Sequence, residues 1–249
     1  MKIFIDPGHN HSLTPTGRST DRFDTGAQGN GLREQDVTFE VAWRLRDVLV
    51  RAGIEVRMSR NAITDNVGNL LSESINGRAR MANDFGADYF ISLHTDWFSN
   101  ATARGSHVII RQFGNAAEPM ARAIQKQLLA LGLDGRSQQI VARTDLGVLN
   151  QTKMPALLVE MGFISNARDA AIQRDRAGDL ARAIADGIFE TLGINEGEIM
   201  EHWAQKYLNG LIAKGIIDTP EAWTDFDTPP TKGMLLALAD KITDRFSNK

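Results

Sequence analysis

The chain of 249 residues contains no cysteine. Disulfide bonds and thiolate metal ligands are therefore excluded, and any bound metal must use histidine or carboxylate side chains. Positive charge is also scarce, because 28 lysines and arginines are outnumbered by 31 aspartates and glutamates. We therefore expect no nucleic-acid partner. No apolar run is long enough to cross a bilayer, so we expect no membrane insertion.

The remaining composition is typical of a compact globular protein. Hydrophobic residues make up 42% of the chain and charged residues 24%, both ordinary values. A chain of this length can form one large domain with a small appendage. Composition therefore sets the scale of the fold but leaves its chemistry open.

The amino-terminal segment places a histidine at the end of a strand. The apolar run Ile3-Phe4-Ile5 predicts a buried strand, and Pro7-Gly8 predicts that the strand ends there. His9 follows at once, at the carboxyl end of the strand, where open α/β sheets bind their ligands. A histidine in this place is a candidate metal ligand or general base.

Further candidates occur in similar settings. His94 ends the apolar run 89–94, Glu160 ends the run 155–160, and Glu34 follows a glycine-rich loop at the start of an amphipathic helix. Two imidazoles and one carboxylate leave one tetrahedral position of Zn²⁺ open, and a further carboxylate could take a proton from water. Glu34 is favoured as the ligand and Glu160 as the base, although the residue pattern alone does not decide between them.

Several motifs occur in the order typical of a known family. They are Asp-Pro-Gly-His at 6–9, Glu34 before Asp36-Val37, the run 78–83 followed by Ala87-Asp88 and Ile91-Ser92-Leu93-His94, and the run 155–166. Through these motifs the chain resembles the zinc-dependent N-acetylmuramoyl-L-alanine amidases of the amidase_3 type over residues 1–192. The resemblance implies a single α/β domain with a mostly parallel, about six-stranded sheet flanked by helices.

The resemblance also implies a site and a reaction. His9, Glu34 and His94 would be the zinc ligands and Glu160 the catalytic glutamate. The substrate would be bacterial peptidoglycan, cleaved between N-acetylmuramic acid and L-alanine of the stem peptide, as by an endolysin or autolysin. Two alternatives stay open: a zinc peptidase that acts on the stem peptide, and a non-catalytic peptidoglycan-binding protein.

Departures from the family pattern indicate candidate substrate contacts. Asn10-His11 follow His9 where the family usually has glycine, and Trp97 lies just after His94. Asn150 stands where an arginine commonly follows Val-Leu. We therefore take His11, Trp97 and Asn150 as the candidate substrate contacts.

Strands and helices alternate along the predicted catalytic domain. Val37, Val41 and Leu45 predict the helix that follows Glu34, and helices are also expected over 75–85 and 116–131. Other strands are expected over 54–58 and 106–111, with a short edge strand at Val148-Leu149. Leu180, Ile184 and Ile188 predict the last helix, with Gly193 as its C-cap.

The organisation changes after residue 192. Residues 193–198 read as a linker and residues 199–249 as a small helical hairpin. This hairpin would target the cell wall, form a homodimer, or pack on the catalytic domain. No signal peptide is visible at the start of the chain. An enzyme that acts on the extracellular wall would then either wait in the host cytoplasm for release through a holin pore or have had a leader that was cut away, and the sequence does not separate these alternatives.

Overall fold

The computed structural model describes residues 1–11, 25–68, 71–195, 210–212, 214 and 216–217. The chain forms two compact units, residues 1–194 and 195–249. Most of the predicted helical hairpin, with its wall-targeting and dimerisation alternatives, lies outside the described residues. Among the helices that are described, none is both long and apolar enough to cross a membrane.

The first unit contains alternating strands and helices. In chain order they are β1 (Lys2–Pro7), β2 (Gln28–Gly29), β3 (Leu32–Arg33), α1 (Glu34–Arg51), β4 (Glu55–Met58), α2 (Leu71–Phe85), β5 (Tyr89–Asp96), β6 (His107–Ile110), α3 (Glu118–Ala130), β7 (Ile140–Ala142), α4 (Gly147–Asn150), β8 (Ala156–Phe163), α5 (Ala167–Asp175) and α6 (Ala177–Leu192).

Six of the strands form the central sheet, in the order β4-β1-β5-β8-β6-β7. Only the pair β6–β8 is antiparallel; the other neighbours are parallel. The short strands β2 and β3 form a separate antiparallel pair. The predicted α/β fold with a mostly parallel, six-stranded sheet is therefore confirmed.

Helices cover both faces of the sheet. On one face α1 and α3 pack against α6, and on the other α2 packs against α4. Phe4, Phe90 and Leu158 lie on the second face and form a core with Phe85 of α2 and Leu149 of α4. Because side chains alternate along a strand, Glu160 lies on the same face as Leu158, and His94 on the same face as Phe90.

Several details of the chain path differ from expectation. Strands β5 and β8 continue past His94 and Glu160, which were predicted to end them, and β2, β3 and β7 were not predicted. The predicted edge strand at Val148-Leu149 is wrong: these residues lie in α4, and the edge strands of the sheet are β4 and β7. Both side chains are buried in the core beside α2, and a helical turn places two adjacent side chains there more readily than a strand, whose neighbours point to opposite faces. Helix α5, which was not predicted, begins at Ala167, and the side chain of its N-cap residue Asn166 accepts hydrogen bonds from the amides of Arg168 and Asp169.

The end of the last helix is as predicted. Gly193 is the C-cap residue of α6 and has φ 64°, in the left-handed region. Glycine reaches this region without the steric cost of a β-carbon. The predicted C-cap is therefore confirmed.

Candidate metal centre and active site

The candidate site lies near the carboxyl ends of the neighbouring strands β1, β5 and β8: His9 follows β1, and His94 and Glu160 lie on β5 and β8. Pairing of β1 with β5 runs to Pro7 and Leu93, and the Gly8 amide extends it by donating to the Leu93 carbonyl at 2.9 Å. His9 and His94 are therefore brought to the same level. Glu34, the first residue of α1, reaches these strand ends from the loop side.

Three donor atoms converge there. Nε2 of His9 lies 3.0 Å from Oε1 of Glu34. Nδ1 of His94 lies 3.1 Å from the same oxygen and 3.1 Å from Nε2 of His9. These residues form the one group of metal-ligand type found in the described part of the chain. The structure thus brings together all three residues that were predicted as ligands.

The spacing of these atoms fits a small divalent cation. Two ligands of tetrahedral zinc, each about 2.0–2.1 Å from the metal, are about 3.3 Å apart. The three observed separations, 3.0 to 3.1 Å, are slightly shorter. Two imidazole nitrogens and a carboxylate oxygen are also a donor set that zinc accepts. The three residues therefore form a possible metal site.

Backbone amides hold the Glu34 carboxylate in place. Oε2 accepts a hydrogen bond from the Ala27 amide at 2.7 Å, and Oε1 accepts one from the Thr95 amide at 2.9 Å. Burial alone would raise the pKa of Glu34, but His9 and His94 outweigh burial and hold this pKa well below its ordinary value. Glu34 is therefore ionised, as a metal ligand must be.

The backbone around His9 is tightly constrained. His9 has φ 67°, a left-handed conformation that is uncommon outside glycine. The preceding Gly8 allows a close approach, since a β-carbon there would lie 2.5 Å from Cε1 of His94. A strained residue of this kind persists only where its surroundings determine its conformation, and such residues cluster at functional sites.

Glu160 lies beside the donor set but outside it. On β8 it is the register partner of His94 on β5 and of His107 on β6, so the three side chains form a row on one face of the sheet. Its Oε2 is buried and makes no hydrogen bond within the described structure. Burial, followed by the charges of Glu34 and Asp96, raises the pKa of Glu160 well above its ordinary value. The unpaired Oε2 of Glu160 is therefore available to a water or a substrate.

His107, which is not one of the predicted site residues, closes the row on the far side. Nε of Arg136 donates to its Nδ1 at 3.1 Å, and Nη2 of Arg136 donates to Oδ2 of Asp96 at 2.8 Å. Burial, followed by the charges of Arg136 and Arg143, lowers the pKa of His107 to about 3. His107 is therefore neutral at neutral pH. The ion pair between Arg136 and Asp96 joins the loop after α3 to β5.

A buried polar cluster lies next to the site, centred on Asp6, three residues before His9. Asp6, which is fully buried, accepts hydrogen bonds from Oγ of Ser59 at 2.6 Å and Oγ of Ser92 at 2.8 Å. Arg78 lies 3.6 Å from the same carboxylate. The cluster links the end of β1 to the middle of β5 and to the residue that follows β4. Sequence reasoning missed this role of Asp6, although its place in Asp-Pro-Gly-His was a signal.

The candidate substrate contacts lie in different settings. Trp97 is 52% exposed, directly after β5. Both ring nitrogens of His11 are buried and make no hydrogen bond within the described structure. Asn150 lies on α4, and its amide donates to the Thr144 carbonyl, so it braces the loop before that helix. Their roles toward substrate stay predictions.

A His-Glu-His set beside a carboxyl group with an unpaired oxygen, near the strand ends of an α/β sheet, has the groups that metal-assisted hydrolysis requires. Comparison with known proteins agrees. The family model for N-acetylmuramoyl-L-alanine amidase, Amidase_3, matches residues 3–190. The chain therefore belongs to the Amidase_3 family, and it is a hydrolase of peptidoglycan amide bonds. The resemblance noted in the sequence is confirmed.

Individual relatives show the same similarity. N-acetylmuramoyl-L-alanine amidase CwlM of Bacillus licheniformis is 33% identical over 193 residues, which cover 74% of this chain and 68% of that protein. An endolysin of Bacillus phage SPP1 is 28% identical and covers 78% of this chain and 67% of its own length. The crystal structure of the amidase Ami1 from Mycobacterium smegmatis, 29% identical, matches with a TM-score of 0.65 over 78% of this chain and 98% of that one.

Proposed function

We propose that the protein is a zinc-dependent N-acetylmuramoyl-L-alanine amidase of the bacterial cell wall. It cleaves the amide between the lactyl group of N-acetylmuramic acid and L-alanine of the stem peptide. His9, Glu34 and His94 hold the zinc, and Glu160 is the general base. The observation that carries this proposal is the convergence of three donors within 3.0 to 3.1 Å beside a carboxylate with an unpaired oxygen.

The residues of the chain divide the work of the reaction between them. When bound, Zn²⁺ supplies Lewis acidity, which polarises a carbonyl and makes a nearby water easier to deprotonate. Oε2 of Glu160 takes the proton of the attacking water as the oxygen bonds to the lactyl carbonyl carbon. Glu160 then gives this proton to the nitrogen of L-alanine as the carbon–nitrogen bond breaks. The carboxylate is regenerated, so one water is consumed for each bond.

The products distinguish this function from its alternatives. Purified walls digested by the protein should release stem peptides with a free L-alanine amino group, without new reducing sugar ends. Amino-terminal labelling and mass analysis of the fragments would measure both. Fragments that keep L-alanine on muramic acid would indicate a stem peptidase, and unaltered walls would indicate a binding protein. A wall digested by a known amidase is the reference.

Trp97 is proposed to contact the glycan beside the zinc. Its ring is half exposed at the end of β5, three residues after His94, and an aromatic face can pack on a sugar ring. Replacing Trp97 with alanine should lower kcat/KM on walls about 2- to 10-fold, the value of an aromatic contact beyond simple burial. Zinc content should be unchanged.

Phe113 provides the matched control for Trp97. It is 55% exposed and follows β6, whose far end pairs with Leu157 rather than with Glu160. Phe113→Ala removes an aromatic side chain of similar exposure that lies toward the opposite ends of the strands. This substitution should leave kcat/KM unchanged. Equal effects of the two substitutions would contradict a glycan contact at Trp97.

A further inference from the structure

Arg60 lies two residues after the end of β4. Its side chain is fully buried, and it is the largest fully buried side chain among the described residues. Its guanidinium donates to backbone carbonyls. Nη2 lies 2.9 Å from the Gln35 carbonyl oxygen and 3.3 Å from that of Gly8, and Nη1 lies 3.3 Å from that of Ile63.

Two of these carbonyls belong to the neighbours of the metal donors. Gly8 precedes His9, and Gln35 follows Glu34. One planar guanidinium therefore joins the two segments that supply separate donors, although these segments are far apart in the chain. The Gly8 carbonyl also accepts a hydrogen bond from Oγ1 of Thr38 at 2.9 Å.

Stability alone does not account for a charged group in this position. Burial, followed by the charge of Arg78, lowers the pKa of Arg60 to about 10, so the side chain remains protonated at neutral pH. Its Nε is buried with no hydrogen-bond partner in the described structure. A buried cation is costly, and an apolar side chain of similar volume often gives equal or greater stability. An apolar side chain has no N–H group to donate to the Gly8 and Gln35 carbonyls, which both accept from Nη2, a nitrogen whose two N–H bonds are fixed in the guanidinium plane.

We propose that Arg60 is a positioning residue for the metal centre, acting through the Gly8 and Gln35 carbonyls to hold His9 and Glu34 at their binding separation. This inference rests on the proposed zinc site. It also accounts for the left-handed conformation of His9, φ 67°: with its carbonyl held by Arg60 and Thr38, Gly8 cannot rotate to release His9 into a more common conformation. The donors are therefore placed before the metal arrives.

Zinc affinity of the full chain tests this role. The metal-free protein would be titrated with zinc in competition with a chromophoric chelator. Arg60→Met should weaken zinc binding about 10- to 100-fold, as is usual when a group that orients the ligands is lost. Arg60→Lys, which keeps the charge but lacks the planar, fixed N–H groups of the guanidinium, should fall between this variant and the original protein. Thr38→Val should weaken binding in the same direction by a smaller factor.

A core variant separates positioning from general loss of stability. Leu180 is fully buried in α6, in the helix layer opposite α2 and α4. Leu180→Ala creates a cavity and lowers stability, and it should leave zinc affinity unchanged. Thermal unfolding would measure how far Arg60→Met and Leu180→Ala each lower the stability of the protein, so that zinc affinities can be compared at similar losses of stability.

Several outcomes would overturn the proposal. A folded Arg60→Met protein that binds zinc as tightly as the original is one, and an equal loss of affinity in Leu180→Ala is another. If Arg60→Met does not fold, unchanged affinity in both Arg60→Lys and Thr38→Val has the same meaning. An original protein that binds no zinc would instead overturn the proposed metal centre itself, which keeps the two failures distinct.

Discussion

Replacement of Glu160 with glutamine should lower kcat by about 10²–10⁴, the usual contribution of a positioned acid–base group. The amide has nearly the shape of the carboxylate but cannot take a proton from water. Because Glu160 lies outside the group of converging donors, zinc content and the fold should be retained. Turnover of a soluble muropeptide, together with metal analysis of the same sample, would measure both effects.

A distant glutamate provides the control for this substitution. Glu190 lies on α6 with its side chain 46% exposed, and Glu190→Gln should leave turnover unchanged. Loss of zinc together with activity in Glu160→Gln would show that Glu160 is a ligand. Glu34 and Glu160 would then exchange the roles assigned to them.

Loss of a donor should have an equally large effect by a different route. Replacing His94 with alanine removes one of three atoms that converge within 3.0 to 3.1 Å. Zinc should no longer copurify, and activity should fall by well over 100-fold, beyond the usual cost of altering a group that only orients a ligand. Chelation of the original protein should abolish activity in the same way, and added zinc should restore the activity.

His11 is the matched control for His94, because it lies in the same region without belonging to the donor group. His11→Ala should keep its zinc, whatever it does to substrate binding. Activity that survives complete metal removal, or zinc that stays bound to His94→Ala with full affinity, would contradict the donor assignment.

The positions of the chemical residues could be predicted because each is tied to a local pattern. His9 follows β1, and His94 and Glu160 lie in the carboxyl-terminal halves of β5 and β8, each at the end of an apolar run in the sequence. The carboxyl ends of parallel strands meet on one side of a sheet. Glu34 opens an amphipathic helix. Such patterns depend only on neighbours in the sequence. They indicate the strand ends at which the site lies without any knowledge of distant contacts.

The supporting residues could not be predicted in this way. Arg60 acts through carbonyls at Gly8 and Gln35, and Arg136 reaches His107 and Asp96. These contacts exist only once strands are placed side by side, and single arginines carry no periodic signal.

The same limit explains the elements that were missed. Four-residue α4 is too short to show a helical period, and its apolar pair Val148-Leu149 suits a strand equally well until the core beside it is known. Helix α5 depends on the Asn166 cap rather than on an apolar stripe. Local pattern therefore predicts long elements and strand-end chemistry, whereas short elements follow tertiary packing.

Hydrolysis of a defined muropeptide in ¹⁸O-labelled water tests the central claim most directly. If a water deprotonated by Glu160 attacks the lactyl carbonyl, the new carboxylate of N-acetylmuramic acid gains one ¹⁸O atom. The released peptide begins with unlabelled L-alanine. Mass spectrometry of the two products distinguishes these positions. Label in a peptide carboxylate, with L-alanine still attached to muramic acid, would show cleavage within the stem peptide and contradict the assignment of the protein as an amidase.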